Sequence, residues 1–175
     1  SERLSRVVTN VLGFTRLERG TLEVSTGPID ARAVLDEVVE RLRPAIESNG
    51  AVLVLEADEG SATIESDRDA LGQIVQNLVD NAEKYTRGAT DRTVHVELRP
   101  VDGATLIAVR DHGPGVPPDL VPQLFEPFTR GSLPDQPAGL GLGLALAREL
   151  AVAQGATLEY ETPAGGGARF VLTFG

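Results

Sequence analysis

The stretch Asn77–Tyr85 reads NLVDNAEKY and decides much of the fold. Apolar residues at helical spacing continue a stripe that begins at Leu71, so we predict an amphipathic helix. Asn77 and Asn81 are one turn apart and lie on the same side of that helix. Their amide oxygens suit a hard cation such as Mg²⁺, and Lys84 is placed to reach phosphate as a point charge. A solvated polar face beside a core stripe is the alternative interpretation.

A second motif, DHGPG over Asp111–Gly115, follows a predicted strand. Gly113 and Gly115 allow the backbone to turn tightly and to approach a flat ligand. The Asp111 carboxylate is suited to accept a hydrogen bond from the exocyclic amine of adenine. Guanine presents an oxygen there, so the same residue would select ATP over GTP. An ordinary Asp-Gly turn is the alternative.

The third motif, GLGLGLA over Gly139–Ala145, leads into a predicted helix. Backbone N–H groups and a helix N-terminus together bind phosphate. The spacing is not that of a dinucleotide fingerprint, and the Lys-Ser/Thr of a P-loop is missing, so neither common phosphate motif explains it. A flexible hinge is the alternative. Arg130, in the preceding FEPFTR, is a second candidate cation for phosphate.

Composition limits the remaining possibilities. With 175 residues and 18.5 kDa, the chain has room for one principal core and a short extra element. A net charge of −10 opposes binding to nucleic acid or anionic lipid. The absence of Cys excludes disulfides and thiolate metal sites. No apolar run approaches the roughly 20 residues that span a bilayer, so we expect a cytoplasmic domain, and the absence of Met suggests an excised fragment.

The chain divides near residues 20–28. Leu4, Val7, Val11 and Phe14 form the seam of a bundled helix that ends near Gly20, and a short strand or linker follows it. Asp30 and Asp67 are predicted to cap helices. We predict strands over 51–56, 62–65, 93–99 and 106–110, helices over 119–125 and 144–154, and a closing hairpin of 157–160 with 168–174.

These motifs, in this order, resemble the catalytic ATP-binding domain of bacterial sensor histidine kinases, in the superfamily that includes gyrase, heat-shock chaperone and mismatch-repair ATPases. The resemblance covers residues 28–175. Residues 1–25 look like the second helix of the dimerisation and phosphotransfer hairpin, because FTRLERGTLEV at 14–24 is similar to that family's exit from the hairpin. The implied fold is α/β, a two-layer sandwich of a mixed β-sheet on three helices (the Bergerat fold), preceded by one N-terminal bundle helix.

The resemblance also implies a role for each motif residue, with ATP and Mg²⁺ as cofactors. Asn81 would be the magnesium ligand and Asp111 would bind adenine, while Arg130 would meet the terminal phosphates. The remaining residues would line the nucleotide, or shape the pocket and its lid: Asn77, Lys84, Tyr85, Gly113, Gly115, Gly139, Gly141, Leu142 and Gly143.

One position favours the histidine-kinase branch. The ATPases and the related serine kinases place a Glu one turn before the magnesium Asn, as a general base. Here that position is Asn77, and an amide accepts no proton at neutral pH. We therefore expect a protein that holds ATP for transfer. The implied acceptor is a histidine on an upstream helix, because His95 is on a strand and His112 is in the Asp111 turn.

The implied partners are ATP, the chain's own upstream histidine-bearing helix and a response regulator, with a homodimer in the full-length protein and no nucleic acid. By itself the chain should not autophosphorylate. The sequence departs from the family at His112, Thr129 and Ala168, where Asn, an aromatic residue and a small hydroxyl are common. The alternative functions are a non-catalytic, nucleotide-responsive binding module and, less favoured because of Asn77, a hydrolysing ATPase.

Overall fold

The computed structural model describes residues 2–59, 62–128 and 141–175. Within these ranges the helices are α1 (Glu2–Glu18), α2 (Ala31–Ser48), α3 (Arg68–Tyr85) and α4 (Gly143–Ala153), and the strands are β1 (Gly27–Asp30), β2 (Val52–Ala57), β3 (Thr63–Ser66), β4 (Thr93–Val101), β5 (Ala104–Asp111), β6 (Thr157–Glu161) and β7 (Ala168–Phe174). None of the described helices combines the length and apolar character needed to cross a membrane.

A five-stranded mixed sheet forms one layer, in the order β2-β4-β5-β7-β6. Strands β2 and β4 are parallel, and every other neighbouring pair is antiparallel. A parallel pair needs a long crossover, which β3 and α3 provide here. Helices α2, α3 and α4 pack on one face of the sheet over an aliphatic core. The predicted two-layer α/β sandwich is confirmed.

Helix α3 lies at the centre of the helical layer. Leu71, Ile74 and Leu78 repeat at three- and four-residue intervals and are completely buried. The helix begins where the Asp67 carboxylate accepts the Ala70 N–H at 3.0 Å, as the sequence predicts. Because its apolar stripe is fixed in the core, the polar side chains beside that stripe have a defined direction.

The structure differs from the predicted secondary structure in two places. The strand predicted over 62–65 is β3, but its partner is β1 at Gly27–Asp30, a strand absent from the prediction. Residues 21–26 have no regular structure, so the linker interpretation is correct there. The helix predicted over 119–125 is reduced to a 3₁₀ turn, Val121–Gln123. Pro122 removes a backbone donor from this segment, and so short a segment gains little from helix formation.

Helix α1 packs against the domain through one narrow strip. A Cβ added to Gly13 would stand 2.7 Å from Leu146 Cδ2 of α4, so a larger residue there would require the Leu146 side chain to shift. Arg6 Nη1 contacts Asp80 Oδ1 of α3 at 2.7 Å. On the rest of α1, apolar side chains remain in solvent; Leu4 and Leu12 are 63% and 52% exposed.

Candidate functional site

The candidate site lies where α3, the turn after β5 and the start of α4 meet. Asn77 is nearly buried on α3, and its Nδ2 donates to the Gly143 carbonyl at 3.2 Å. A Cβ on Gly143 would be 3.8 Å from Asn77 Cγ, so the helices are in van der Waals contact there. The hydrogen bond joins the first and third sequence motifs directly.

The next turns of α3 present the other predicted side chains. Asn81, Lys84 and Tyr85 are half-buried along the edge of the helix. Burial, and then the charge of Asp111, raises the pKa of the Tyr85 hydroxyl. Tyr85 is therefore a neutral phenol at physiological pH, close to the Asp111 carboxylate.

The Asn81 amide oxygen is a suitable ligand for a magnesium ion that is held largely by nucleotide phosphates. Within the described ranges the Asn81 side chain makes no hydrogen bond to protein, so its amide oxygen is available. No group of three His, Cys, Asp or Glu side chains in that part of the chain could hold a metal ion. Mg²⁺ needs only one or two protein oxygens when phosphates and waters complete its shell. One amide oxygen is thus a sufficient contribution from this chain.

Asp111 ends β5 and is only 1% exposed. Its Oδ1 accepts the Gly113 N–H at 2.8 Å, which closes the turn. Burial raises the pKa of the Asp111 carboxyl, against the lowering effect of backbone hydrogen bonds from Gly113 and Ala168 and of the nearby His112 and Arg110 charges. Among the described residues Asp111 has no ion-pair partner. A buried carboxylate of this kind is costly to retain for stability alone, which is typical of a functional group.

We expect an Asp111→Asn variant to resist unfolding better than the wild type at neutral pH. The folded pKa of Asp111 lies above its ordinary value of 3.8, so the folded chain binds this proton more tightly than the unfolded chain. The stability that the folded state gains from this tighter proton binding is fully present below pH 3.8, and it is lost as the pH rises through the folded pKa. An amide does not ionise, so the advantage of the variant should grow through this window. Urea unfolding from about pH 4 to pH 7 would measure it, and a pH-independent difference would contradict the assignment.

Close backbone packing fixes the turn after β5. A Cβ on Gly113 would stand 2.3 Å from the Tyr85 carbonyl oxygen, so the turn rests directly on the end of α3. Gly115 has a φ of +77°, in the left-handed region. Gly167, which the sequence interpretation missed, has a φ of +86°, and its Cβ would stand 2.1 Å from the Asp111 carbonyl oxygen. The run of three glycines at 165–167 was its only sequence signal.

The third motif is described only from residue 141 onward. Gly141 has a φ of +70°, and its carbonyl accepts the Phe128 N–H at 3.0 Å. Leu142 is buried at the N-cap position of α4. Arg130 and Gly139, together with the departure at Thr129, lie outside the described residues.

The other two departures, His112 and Ala168, lie within the described residues. His112 Nε2 lies 2.9 Å from His95 Nε2. Because Val94 and Val96 are buried in the core, the intervening His95 faces the opposite side of the sheet. His112 is therefore directed to that side too. Ala168 is buried on β7 and pairs in register with Asp111.

Comparison with known proteins identifies the family. Residues 66–175 match the family described as histidine kinase-, DNA gyrase B- and HSP90-like ATPases. The sensor protein KdpD of Mycobacterium tuberculosis is 34% identical over 177 residues, which cover 98% of this chain and 20% of that protein. The chain thus spans about a fifth of this relative.

Solved structures agree with the sequence match. This chain resembles full-length ShkA, solved in complex with AMPPNP, with a TM-score of 0.81 and 32% sequence identity. The match covers 98% of this chain and 35% of the ShkA chain. The histidine kinase ThkA in complex with the response regulator TrrA shares the fold, with a TM-score of 0.74 at 20% identity over 99% of this chain and 48% of that chain. The chain therefore belongs to the family of histidine kinase-, DNA gyrase B- and HSP90-like ATPases, as a catalytic ATP-binding domain of the sensor histidine kinase type.

Proposed function

We propose that this chain binds Mg-ATP and donates the γ-phosphoryl group to a histidine on a helix outside the chain, as part of a two-component sensor histidine kinase. The observation that carries the proposal is the amide of Asn77 at the point where α3 meets α4. A hydrolysing enzyme needs a proton acceptor there, and an amide is none. The site is suited to retain ATP until an acceptor arrives.

Each part of the nucleotide has a matching group in the proposal. The Asp111 carboxylate accepts the adenine amine hydrogen, in the turn that rests on Tyr85. Lys84 and the backbone N–H groups at the start of α4, a helix of 11 residues, would bind the phosphates. Asn81 would hold Mg²⁺, which when bound neutralises phosphate charge.

The carboxylates near the end of α3 are already engaged, which supports transfer over hydrolysis. Asp80 contacts Arg6 at 2.7 Å. Glu83 is buried and receives hydrogen bonds from Arg87 at 2.9 and 2.8 Å and from Arg92 at 3.2 Å. Both Glu83 carboxylate oxygens are thus occupied by guanidinium groups and are not available to position a water.

The acceptor in this proposal comes from outside the chain. The sequence has two histidines, and both lie on the outer side of the sheet, in contact with each other. In the transfer, an imidazole nitrogen of the acceptor forms a bond to the γ-phosphorus as the bond to the β,γ-bridging oxygen breaks. ADP leaves, and the imidazole proton passes to solvent.

The two-component setting adds two partners to the proposal. A response regulator would take the phosphoryl group from the histidine onto an Asp. A homodimer of the full-length protein would cover the outer stripe of α1, where Leu4 and Leu12 are largely exposed.

A transfer assay tests the proposal as a whole. The chain is incubated with γ-labelled ATP and a separate helical hairpin that carries the acceptor histidine. Acid-labile, base-stable label on that helix is the expected result. Normal ATP binding without label would favour the non-catalytic binding module, and phosphate release at several turnovers per minute without label would favour an ATPase.

We expect Asn81→Ala to weaken ATP binding in the presence of Mg²⁺ by about tenfold, and to change it much less in EDTA, because the variant loses one metal ligand. Calorimetric titration under both conditions measures the two effects. Gln76→Ala, which removes another half-buried amide from α3, is the matched control and should leave both affinities unchanged. Equal losses with and without the metal would contradict a ligand role for Asn81.

A further inference from the structure

The far end of the turn after β5 has an anchor of its own. The Val116 N–H donates to the Tyr160 hydroxyl at 3.2 Å. A Cβ on Gly115 would be 3.9 Å from the same oxygen, so the hydroxyl lies against the turn. Asp111 holds the near end through the Gly113 N–H at 2.8 Å. The turn is therefore fixed by side chains at both ends.

Tyr160 is itself oriented by packing. Its ring packs on buried Phe170 with a centroid distance of 5.4 Å. Phe170 in turn meets the Phe125 ring edge-on at 6.0 Å, and the Arg148 guanidinium of α4 lies 4.8 Å from the Phe125 centroid. Aromatic pairs of this geometry restrict ring orientation. The packing of the ring on Phe170 therefore restricts where the hydroxyl can lie.

We propose that Tyr160 is a positioning residue for the adenine turn, and that its hydroxyl sharpens the choice of nucleobase at Asp111. It acts through the backbone of residues 115 and 116, and it belongs to none of the three motifs that define the site. The inference rests on the proposed binding of ATP. Its basis is one hydrogen bond from a turn amide, accepted by the hydroxyl of a ring that packs on buried Phe170.

The test is Tyr160→Phe, which keeps the ring and its packing and removes one oxygen. We expect ATP affinity to fall roughly three- to tenfold, since one hydrogen bond that orders the turn is lost. The affinities for GTP and for inorganic tripolyphosphate, each measured with Mg²⁺, should change less than twofold, because neither ligand uses the Asp111 contact. Hydrogen exchange of the Val116 amide in the nucleotide-free protein should accelerate, with the core amides unchanged. Thr162→Val is the matched control, because it removes the other hydroxyl near Tyr160 and leaves the Val116 bond intact.

The outcomes separate this inference from the proposed function. A wild-type chain that does not bind ATP would contradict the proposed function. A wild-type chain that binds ATP, with the same ATP-to-GTP ratio in Tyr160→Phe, would overturn the positioning role. Equal losses for ATP and tripolyphosphate would overturn it too, because they would show a general structural effect. A selective loss for ATP together with faster exchange at Val116 supports it.

Discussion

Asp111→Asn should lose about 1–3 kcal/mol of ATP binding, roughly a 5- to 150-fold rise in Kd. The amide keeps an oxygen for the Gly113 N–H, so the turn stays closed. Its NH₂ group, however, replaces a carboxylate oxygen with a donor, which opposes the exocyclic amine of adenine. Because the site excludes water around Asp111, the mismatched donor has no solvent to compensate it. The affinity for GTP should fall much less, so the variant should no longer distinguish adenine from guanine.

Calorimetry with ATP and GTP in excess Mg²⁺ measures both effects. The variant is expected to be at least as stable as the wild type at neutral pH, so a loss of affinity cannot be ascribed to unfolding. Asp119→Asn is the matched control, since Asp119 is an exposed carboxylate in the segment after the turn. Unchanged ATP affinity in Asp111→Asn would refute the adenine role.

Gly167→Ala should have the largest effect on stability among the glycine substitutions near the site. Its φ of +86° disfavours any L side chain, at a cost of about 1–3 kcal/mol. In addition, the new Cβ would meet the Asp111 carbonyl oxygen at 2.1 Å, and that oxygen belongs to backbone that cannot move aside cheaply. Overpacking of this kind adds about 1–3 kcal/mol. The displaced strand end would also misplace the carboxylate, so ATP binding should be lost with stability.

Gly166→Ala separates strain from collision. Gly166 has a similar φ, +91°, but a Cβ there would meet nothing within 4 Å. We therefore expect this variant to carry the conformational cost alone and to bind ATP normally. Urea unfolding of both variants gives the difference directly. Equal destabilisation by the two substitutions would show that contact with Asp111 contributes nothing.

Local signals made most of the fold predictable. Asp30 and Asp67 cap helices whose apolar stripes are fully buried, because capping and periodicity depend on nearby residues only. The strand β1 was missed because GPID has neither alternation nor strong β propensity. It forms by pairing with β3, and that pairing spans more than thirty residues of chain. Tertiary pairing overrides local propensity in such strands.

The site was predictable at the level of residue type, but its packing was not. Asn77, Asp111 and Gly143 belong to motifs; the structure joins Asn77 to Gly143, and the turn after Asp111 packs on Tyr85 at the end of α3. The roles of Gly167 and Tyr160 depend on distances between segments that are far apart in sequence. A glycine in a hairpin and a tyrosine on a strand have ordinary local explanations. Only the approach of Gly167 to Asp111, and of the Tyr160 hydroxyl to Val116, distinguishes them.

The contact between Gly13 and Leu146 has a consequence for how α1 can move. Successive residues of a helix are separated by about 100° around its axis. A turn of α1 by one residue would therefore bring Leu12 or Phe14 toward the position of Gly13, where a single Cβ already comes within 2.7 Å of Leu146. Leu146 lies one turn after Gly143, whose carbonyl binds Asn77. A rotation of α1 about its axis therefore requires the Leu146 side chain to shift, which couples the orientation of α1 to side-chain packing near the start of α4.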